Sequence, residues 1–516
     1  IVSGYCLYYA PYGINETDGG FLTGLAWQVL NGKVLYQDII YVRPPLPVWL
    51  RAMELQILPE QFAILGERWF FYLKVALYSW MGAVVIMGDS NRRWQLAVLA
   101  FVVSAHCYPP MAWHTVDGIL FSVMAVFFAV KGGKTIGLSG VCLCCALLCK
   151  QSFYPLLPLF ALFLFLENEN RWRKMLWFFA AFSVCIILFV SYLKQENVLS
   201  GFIKMTSSAA SGGQALEHGI LDYFRITPEL ALPSIILLVP VVWWFWKGGN
   251  PKIARMAWFF WLSALVVSYG LITWLRQDHT VPFAQTRSMF WLAAGFFLAS
   301  RSRFTVHRSS LLLLGISWCA AVSWGYNLPI LFAVPWVWAG MEVTRVLEEA
   351  SKPVRFLKPY RFAFLILLLL SFRIGHEFVY RDGRRSAMNQ PMGAIFPQLS
   401  GIYSDAESAE LYRDLKQLAE RFGENFKTLP AFPQANFLTQ TFPPLPLDWV
   451  VNRETNGDNN LVIKDLKGRR PVIFIQKSFR EKIESDPELE LTRKILQSGK
   501  ILEETPHFWV LGSYLE

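Results

Sequence analysis

No cysteine occurs after Cys319, so residues 377–516 have no disulfides to staple them and must rest on an apolar core. No histidine or carboxylate stands beside the cluster Cys142, Cys144, Cys145 and Cys149 to complete a metal set. Those thiols read as small buried residues within helices. No internal repeat is visible, which counts against the duplicated build of many transporters. Charge is sparse: only 17% of residues are charged while 54% are hydrophobic, and mean hydropathy is +0.35, which excludes a soluble fold of ordinary composition.

What is present is a series of apolar runs. At about 20 residues per span, shorter where charged ends snorkel or proline interrupts, they fall near 1–12, 69–88, 95–108, 115–130, 135–149, 153–166, 175–193, 229–246, 256–275, 288–300, 309–326, 328–344 and 362–376. The expected fold is therefore mainly α and polytopic, with about thirteen membrane helices by the same ~20-residue rule. The chain begins at Ile1 with a short apolar run, which reads as a start downstream of the true N-terminus, with a cleaved signal peptide as the competing reading.

Basic residues are nearly missing from every second loop. One alternating set holds Arg92, Arg93, Lys131, Lys134, Arg171, Arg173, Lys174, Lys247, Lys252, Arg255, Arg301, Arg303, Arg308, Arg345, Lys352, Arg355, Lys358 and Arg361. The other, beyond the opening segment, holds only Lys150, Lys194, Lys204, Arg225, Arg276 and Arg287. Because Lys and Arg are retained on the cytoplasmic side, segment 13–68, the sparse loops and the region from 377 are all expected outside. The net charge of +10 is then a topology signal, and nucleic acid is not an expected partner.

Two domains follow: a membrane domain over 1–376, including an exterior loop 13–68 with amphipathic interfacial helices, and an exterior α/β domain over 377–516. In the latter, "SAELYRDLKQLAERFG" places Leu411, Leu415 and Leu418 on one helical face, and "RPVIFIQKS" and "HFWVLGSYL" read as buried strands.

The opening loop is too long for a plain connector. Phe21, Leu25 and Val29 predict a helix along the interface, with Asp18 just ahead of it and Gly19 and Gly20 letting backbone approach a ligand. After it come "NGKVLYQD" and "RPPLPVW". Further on, "YPPMAWHTVDGILFSV" sets Asp117 at an outer helix end, and "ALLCKQSFYPLLP" does the same for Lys150.

Together these segments resemble the GT-C glycosyltransferases, in particular the protein O-mannosyltransferases and the lipid A aminoarabinose transferase. The likeness covers roughly the first 200 residues, with Leu35 where the family usually carries proline and Gly19 where a second acid is common. It implies an enzyme that moves a sugar from a polyprenyl-phosphate donor, with the lipid tail in the bilayer, to a glycan, lipid or protein hydroxyl. A general base must take the acceptor proton and cations must hold the leaving phosphate. Asp18 fits the base, against the plainer role of a helix N-cap, and Asp117 is the second acid. Lys150 runs against the charge bias and fits the phosphate, as do Arg43, Arg276 and Arg287. Asp38, His114 and His279 are positioning candidates, with structural roles in the loops as the competing reading. No metal is required, though Asp18, Asp38 and Asp117 leave a divalent cation open.

The exterior connection 194–228 reads either as a lid or as a plain linker. The lack of cysteine in the exterior domain, and an "NET" sequon at Asn15 where a glycan would obstruct the site, point to a bacterial inner membrane, with headgroup lipids as further partners. Two other classes stand beside the enzyme: a transporter or flippase for a lipid-linked substrate, and a non-catalytic subunit on the same scaffold. The clustering of candidate charges at one outer surface, rather than at mid-membrane, favours the enzyme.

Overall fold

Leucine-, phenylalanine- and alanine-rich runs give helices wherever the structure describes them. The computed structural model describes residues 1–91, 93–167, 170–208, 308–322, 377, 379, 382–455 and 458–512. The helices are α1 (Val2–Tyr8), α2 (Phe21–Leu30), α3 (Leu46–Ile57), α4 (Ala63–Met87), α5 (Arg93–Cys107), α6 (His114–Lys131), α7 (Ile136–Leu147), α8 (Leu156–Phe165), α9 (Arg171–Gln195), α10 (Leu199–Ser208) and α11 (Ser309–Ala321). Among the described residues, three helical stretches are long and apolar enough to cross a membrane: Glu60–Met87, His114–Lys131 and Arg171–Gln195. The expected spans at 229–246, 256–275, 288–300, 328–344 and 362–376, and most of the 194–228 connection, lie outside the described residues.

α4, α5, α6, α7 and α9 pack in a chain, and α11 lies against α6 and α8. Their outward faces are apolar. On α9, Leu176, Trp177, Val184, Ile187 and Leu188 are exposed while Phe178, Phe189 and Leu193 face the bundle. Such a surface is stable where the surrounding medium is lipid, because apolar area there is not in water.

Within the first expected span, 1–12, the helix is α1. Only seven residues, Val2–Tyr8, are helical, and the chain then turns so that the carbonyls of Ala10, Tyr12 and Gly13 accept from the buried Arg68 guanidinium.

The C-terminal region carries α12 (Ala406–Phe422), α13 (Asn452–Thr455), α14 (Asn460–Arg469) and α15 (Glu490–Ser498). On α12, Ala409, Tyr412, Leu415 and Leu418 are buried and Asp405 caps the N-terminus through Ser408 N–H at 2.8 Å. A two-stranded ribbon pairs β1 (Gln390–Pro391) with β2 (Tyr403–Ser404). A four-stranded sheet has the order β3-β4-β6-β5, with β3 (Phe426–Leu429) parallel to β4 (Val472–Gln476) and β5 (Ile501–Glu504) and β6 (Phe508–Leu511) antiparallel. β4 and β6 are the two strands expected from sequence.

This region sits on the opening loop. Trp27 Nε1 donates to the Thr441 carbonyl, Ile40 N–H to Pro446, Trp449 Nε1 to Thr17, and Gly13 N–H to Tyr403. The expected interfacial position of α2 is corrected for the same reason. Phe21, Leu22, Thr23, Gly24, Leu25, Ala26 and Gln28 are all buried, and a Cβ on Gly24 would come within 2.4 Å of the Pro433 carbonyl. α3 is two-faced, exposing Met53 and Ile57 while burying Arg51 and Glu54.

One buried network locks this junction. Lys427 and Asp448 pair at 2.5 Å, Asp448 accepts from Gln28, and Gln28 accepts from Lys33, whose amine also reaches the Pro443 carbonyl. Burial pushes the Lys33 amine down to about 8, Asp448 resisting and Lys427 and Arg469 assisting. The folded protein therefore releases this proton before the unfolded chain does. Stability should rise between about pH 8 and the ordinary lysine range, the penalty of the buried charge being fully present below that window. The wild-type minus Lys33→Met difference in melting temperature across that range measures the effect, and a flat difference refutes it.

Candidate active site

The N-terminal end of α6 and the C-terminal end of α7 meet the opening loop. Leu46 N–H donates to the Leu148 carbonyl and Gln151 Nε2 to the Val42 carbonyl at 2.6 Å, so Lys150 lies beside the irregular run 39–45. Lys150 Nζ is 3.2 Å from Thr115 Oγ1 on the first turn of α6. It is half-buried, and among the described residues no carboxylate lies within ion-pair distance of it. Burial, with the Arg43 charge beside it, holds the amine well below the ordinary lysine range, against a weaker opposing pull from Glu454. A bound anion would reverse that shift.

Arg43 is held by a group that no sequence pattern announced. Both guanidinium nitrogens meet Glu454 of α13, at 2.8 and 2.6 Å, a bidentate pair. Its plane lies 5.3 Å over the Phe21 ring, and its carbonyl accepts from the Tyr36 hydroxyl at 2.7 Å. Phe21 stacks on Trp449 at 4.2 Å and lies 6.2 Å from Trp113, whose ring is 4.5 Å from His114. An aromatic face thus floors the Arg43 guanidinium, and the C-terminal region contributes both an acid and a ring to the same place.

Asp18 stands in a turn built by Asn15, whose Oδ1 accepts from Thr17 N–H, Thr17 Oγ1 and Asp18 N–H at 2.8–2.9 Å. The N-cap position of α2 belongs to Gly20, with φ +86°, not to Asp18. Gly19 and Gly20 approach protein rather than leaving room for a ligand. A Cβ at Gly19 would be 2.5 Å from the Asn15 carbonyl, and one at Gly20 2.5 Å from Gln434 Cβ. Trp449 donates to the Thr17 carbonyl at 3.0 Å, so the Asp18 turn borders the aromatic floor.

Asp117 lies on the first turn of α6, buried, 2.7 Å from Lys74 Nζ. Lys74 also meets Glu54 at 2.8 Å, Glu54 meets Arg51 at 3.3 Å, and Arg51 meets Glu67 at 2.7 Å. Thr23 Oγ1 and Ala112 N–H complete Glu67. This relay of five charges ties α2, α3, α4 and α6 together just beneath the site. Its signal was legible: Glu67 and Lys74 interrupt an apolar span, and ionisable residues there are expensive unless paired.

Asp38 accepts from Val34 N–H at 2.9 Å and shapes the 34–39 turn, and His114 is buried under Trp113. Arg276, His279 and Arg287 lie outside the described residues. The structure thus gathers Arg43, Lys150, His114 and Asp117 where the start of α6 meets the end of α7, with Asp18 at the border and Asp38 apart in its turn. Glu454, Lys74 and the rings of Phe21, Trp113 and Trp449 are the residues sequence reasoning missed.

In class, the chain is a mostly helical protein with apolar helices and a small C-terminal sheet. In particular, it is similar in structure to ArnT from Cupriavidus metallidurans in the apo state, with 13% identity and a TM-score of 0.42, over 99% of this chain and 96% of that one. It is likewise similar to ArnT from the same organism bound to undecaprenyl phosphate, with 14% identity and a TM-score of 0.44, over 100% of this chain and 96% of that one. No protein-family model and no curated protein sequence matches the chain. Likeness of this degree transfers no residue role, so the roles below rest on the site itself.

Proposed function

We propose that this protein is a membrane glycosyltransferase that moves a sugar from a polyprenyl-phosphate donor to a hydroxyl acceptor at the outer surface of the membrane. One observation carries the reading: Lys150, half-buried and without a carboxylate partner among the described residues, faces Arg43 at the outer helix ends. Two cations sharing one acid need an anion, and a lipid phosphate delivered from the bilayer reaches that level without leaving the lipid. Lys150 and Arg43 take the phosphate and stabilise the charge it gains as the glycosidic bond breaks. Asp18 takes the proton of the attacking hydroxyl, and Asp117, held by Lys74, orients the acceptor together with His114. Arg276, Arg287 and His279 extend the donor site in this scheme. Residues 1–376 form the membrane domain and 377–516 an exterior domain that closes the site from above, in a bacterial inner membrane. The acceptor class is a lipid-linked glycan or lipopolysaccharide, with protein as the alternative.

The test is transfer of radiolabelled sugar from a panel of polyprenyl-phosphate sugars in membranes carrying wild type or Lys150→Met. Wild type should transfer from at least one donor. Lys150→Met should lose roughly 30-fold or more in kcat/KM, the scale of a buried charge-assisted contact worth about 2 kcal/mol or above. A correctly folded wild type that transfers nothing defeats the proposal, and movement of an intact lipid-linked sugar across sealed vesicles would replace it with the flippase reading.

A further inference from the structure

The Arg43 guanidinium already holds an anion, and that anion belongs to the C-terminal region. Glu454 meets it in bidentate fashion at 2.8 and 2.6 Å, as a phosphate would. We infer that Glu454 is a specificity-determining residue that sets the charge of the donor site to match a singly charged phosphodiester and to disfavour a doubly charged phosphate monoester. This inference rests on the proposed donor site and says which phosphate that site prefers.

The charge count is short. Lys150 and Arg43 contribute two positive charges, and Glu454, 2% exposed at its side chain, contributes one negative. The other groups around the phosphate add little: burial keeps the Tyr41 phenol protonated, Thr115 is a hydroxyl, an imidazole such as that of His114 is uncharged at about pH 8 by its ordinary range, Asp117 is met by Lys74 at 2.7 Å, and Asp18 stands at the border of the site, where it serves the acceptor side. A net single positive charge balances a polyprenyl-phosphate sugar, whose phosphodiester carries one negative charge. Transfer converts that diester to polyprenyl monophosphate, and the bond from the anomeric carbon to the phosphate oxygen breaks with its electron pair left on phosphate. Near neutral pH the product takes a second charge, its second pKa being about 6. The product is then one charge in excess of the site, and Glu454, fixed on a neighbouring cation, repels it. Removing the carboxylate would make the site doubly positive and favour the product.

The experiment titrates the detergent-solubilised full chain with polyprenyl monophosphate, with a polyprenyl methyl phosphodiester of the same chain length, and with the neutral polyprenol, following Trp fluorescence. Trp113 and Trp449 lie against the site. Wild type should bind the diester at pH 8 at least as tightly as the monophosphate, and its monophosphate affinity should fall as pH rises from about 5 to about 8 through the phosphate's second ionisation. Glu454→Gln should bind the monophosphate about tenfold tighter at pH 8, one charge-assisted contact's difference, with diester binding far less changed. Glu454→Asp should behave as wild type.

Wild type binding the doubly charged monophosphate tenfold tighter than the diester overturns the inference, and that measurement needs no variant to fold. Glu454→Gln binding monophosphate no better than wild type does the same. If wild type prefers neither phosphate over polyprenol, the donor site itself is wrong and the inference falls with it, an outcome distinct from the other two.

Discussion

Asp18→Asn should lower glycosyl transfer by about 10²–10⁴-fold, the range for removing a general base, while donor binding and folding stay at wild-type levels. The substitution is nearly isosteric, and the turn it occupies is secured by other groups. Asn15 Oδ1 takes three donors there, and Trp449 Nε1 holds the Thr17 carbonyl. Loss of activity would then report the carboxylate and not the loop. Asp117→Asn makes the informative contrast. Its carboxylate lies 2.7 Å from Lys74, so losing the charge also frees that ammonium to rest on Glu54 alone. That variant should lose both activity and thermal stability. Transfer by Asp18→Asn at the wild-type rate would move the base elsewhere, leaving only the donor half of the scheme.

Arg51→Met should be the most destabilising single change, by about 3–5 kcal/mol, because it leaves a buried carboxylate without its partner. Arg51 is 1% exposed and contacts Thr23, Glu54, Glu67 and the Ala63 carbonyl, which span α2, α3 and α4. Heat inactivation in detergent, followed by monodispersity, is a suitable measure since membrane proteins rarely refold after melting. Adding Glu67→Gln to Arg51→Met should recover much of the loss. The double change removes the pair as a unit, and non-additivity is the mark of a shared network. A single variant as heat-resistant as wild type would show that the relay is not what joins these helices.

Much of this arrangement was readable along the chain. The helices at 63–87, 114–131 and 171–195 follow from apolar length. α12 follows from the spacing of Leu411, Leu415 and Leu418, though it is Tyr412 rather than Leu411 that is buried with the latter two. β4 and β6 announce themselves as short runs of Val, Ile and Phe. β3, "FKTL", did not, because its Lys427 is paired with Asp448 inside the core and breaks the apolar run. β5, "ILEE", is an exposed edge strand without a buried face to mark it.

Within the site, the sequence by itself determined the candidates carried on local pattern: Lys150 against the charge bias, Asp117 at a helix end, Arg43 among prolines, Asp18 before α2. Each is a statement about a residue and its near neighbours, and one dimension suffices for it. Only the tertiary structure decided the partners. Glu454 lies 411 residues from Arg43, in a run of ordinary polar residues, and Gln28 lies 420 from Asp448. Ion pairs and ring contacts act over a few ångströms of space and carry no period along the chain. The burial of α2, the charge on Arg43 and the identity of the aromatic floor therefore became visible only when the C-terminal region was seen seated on the opening loop.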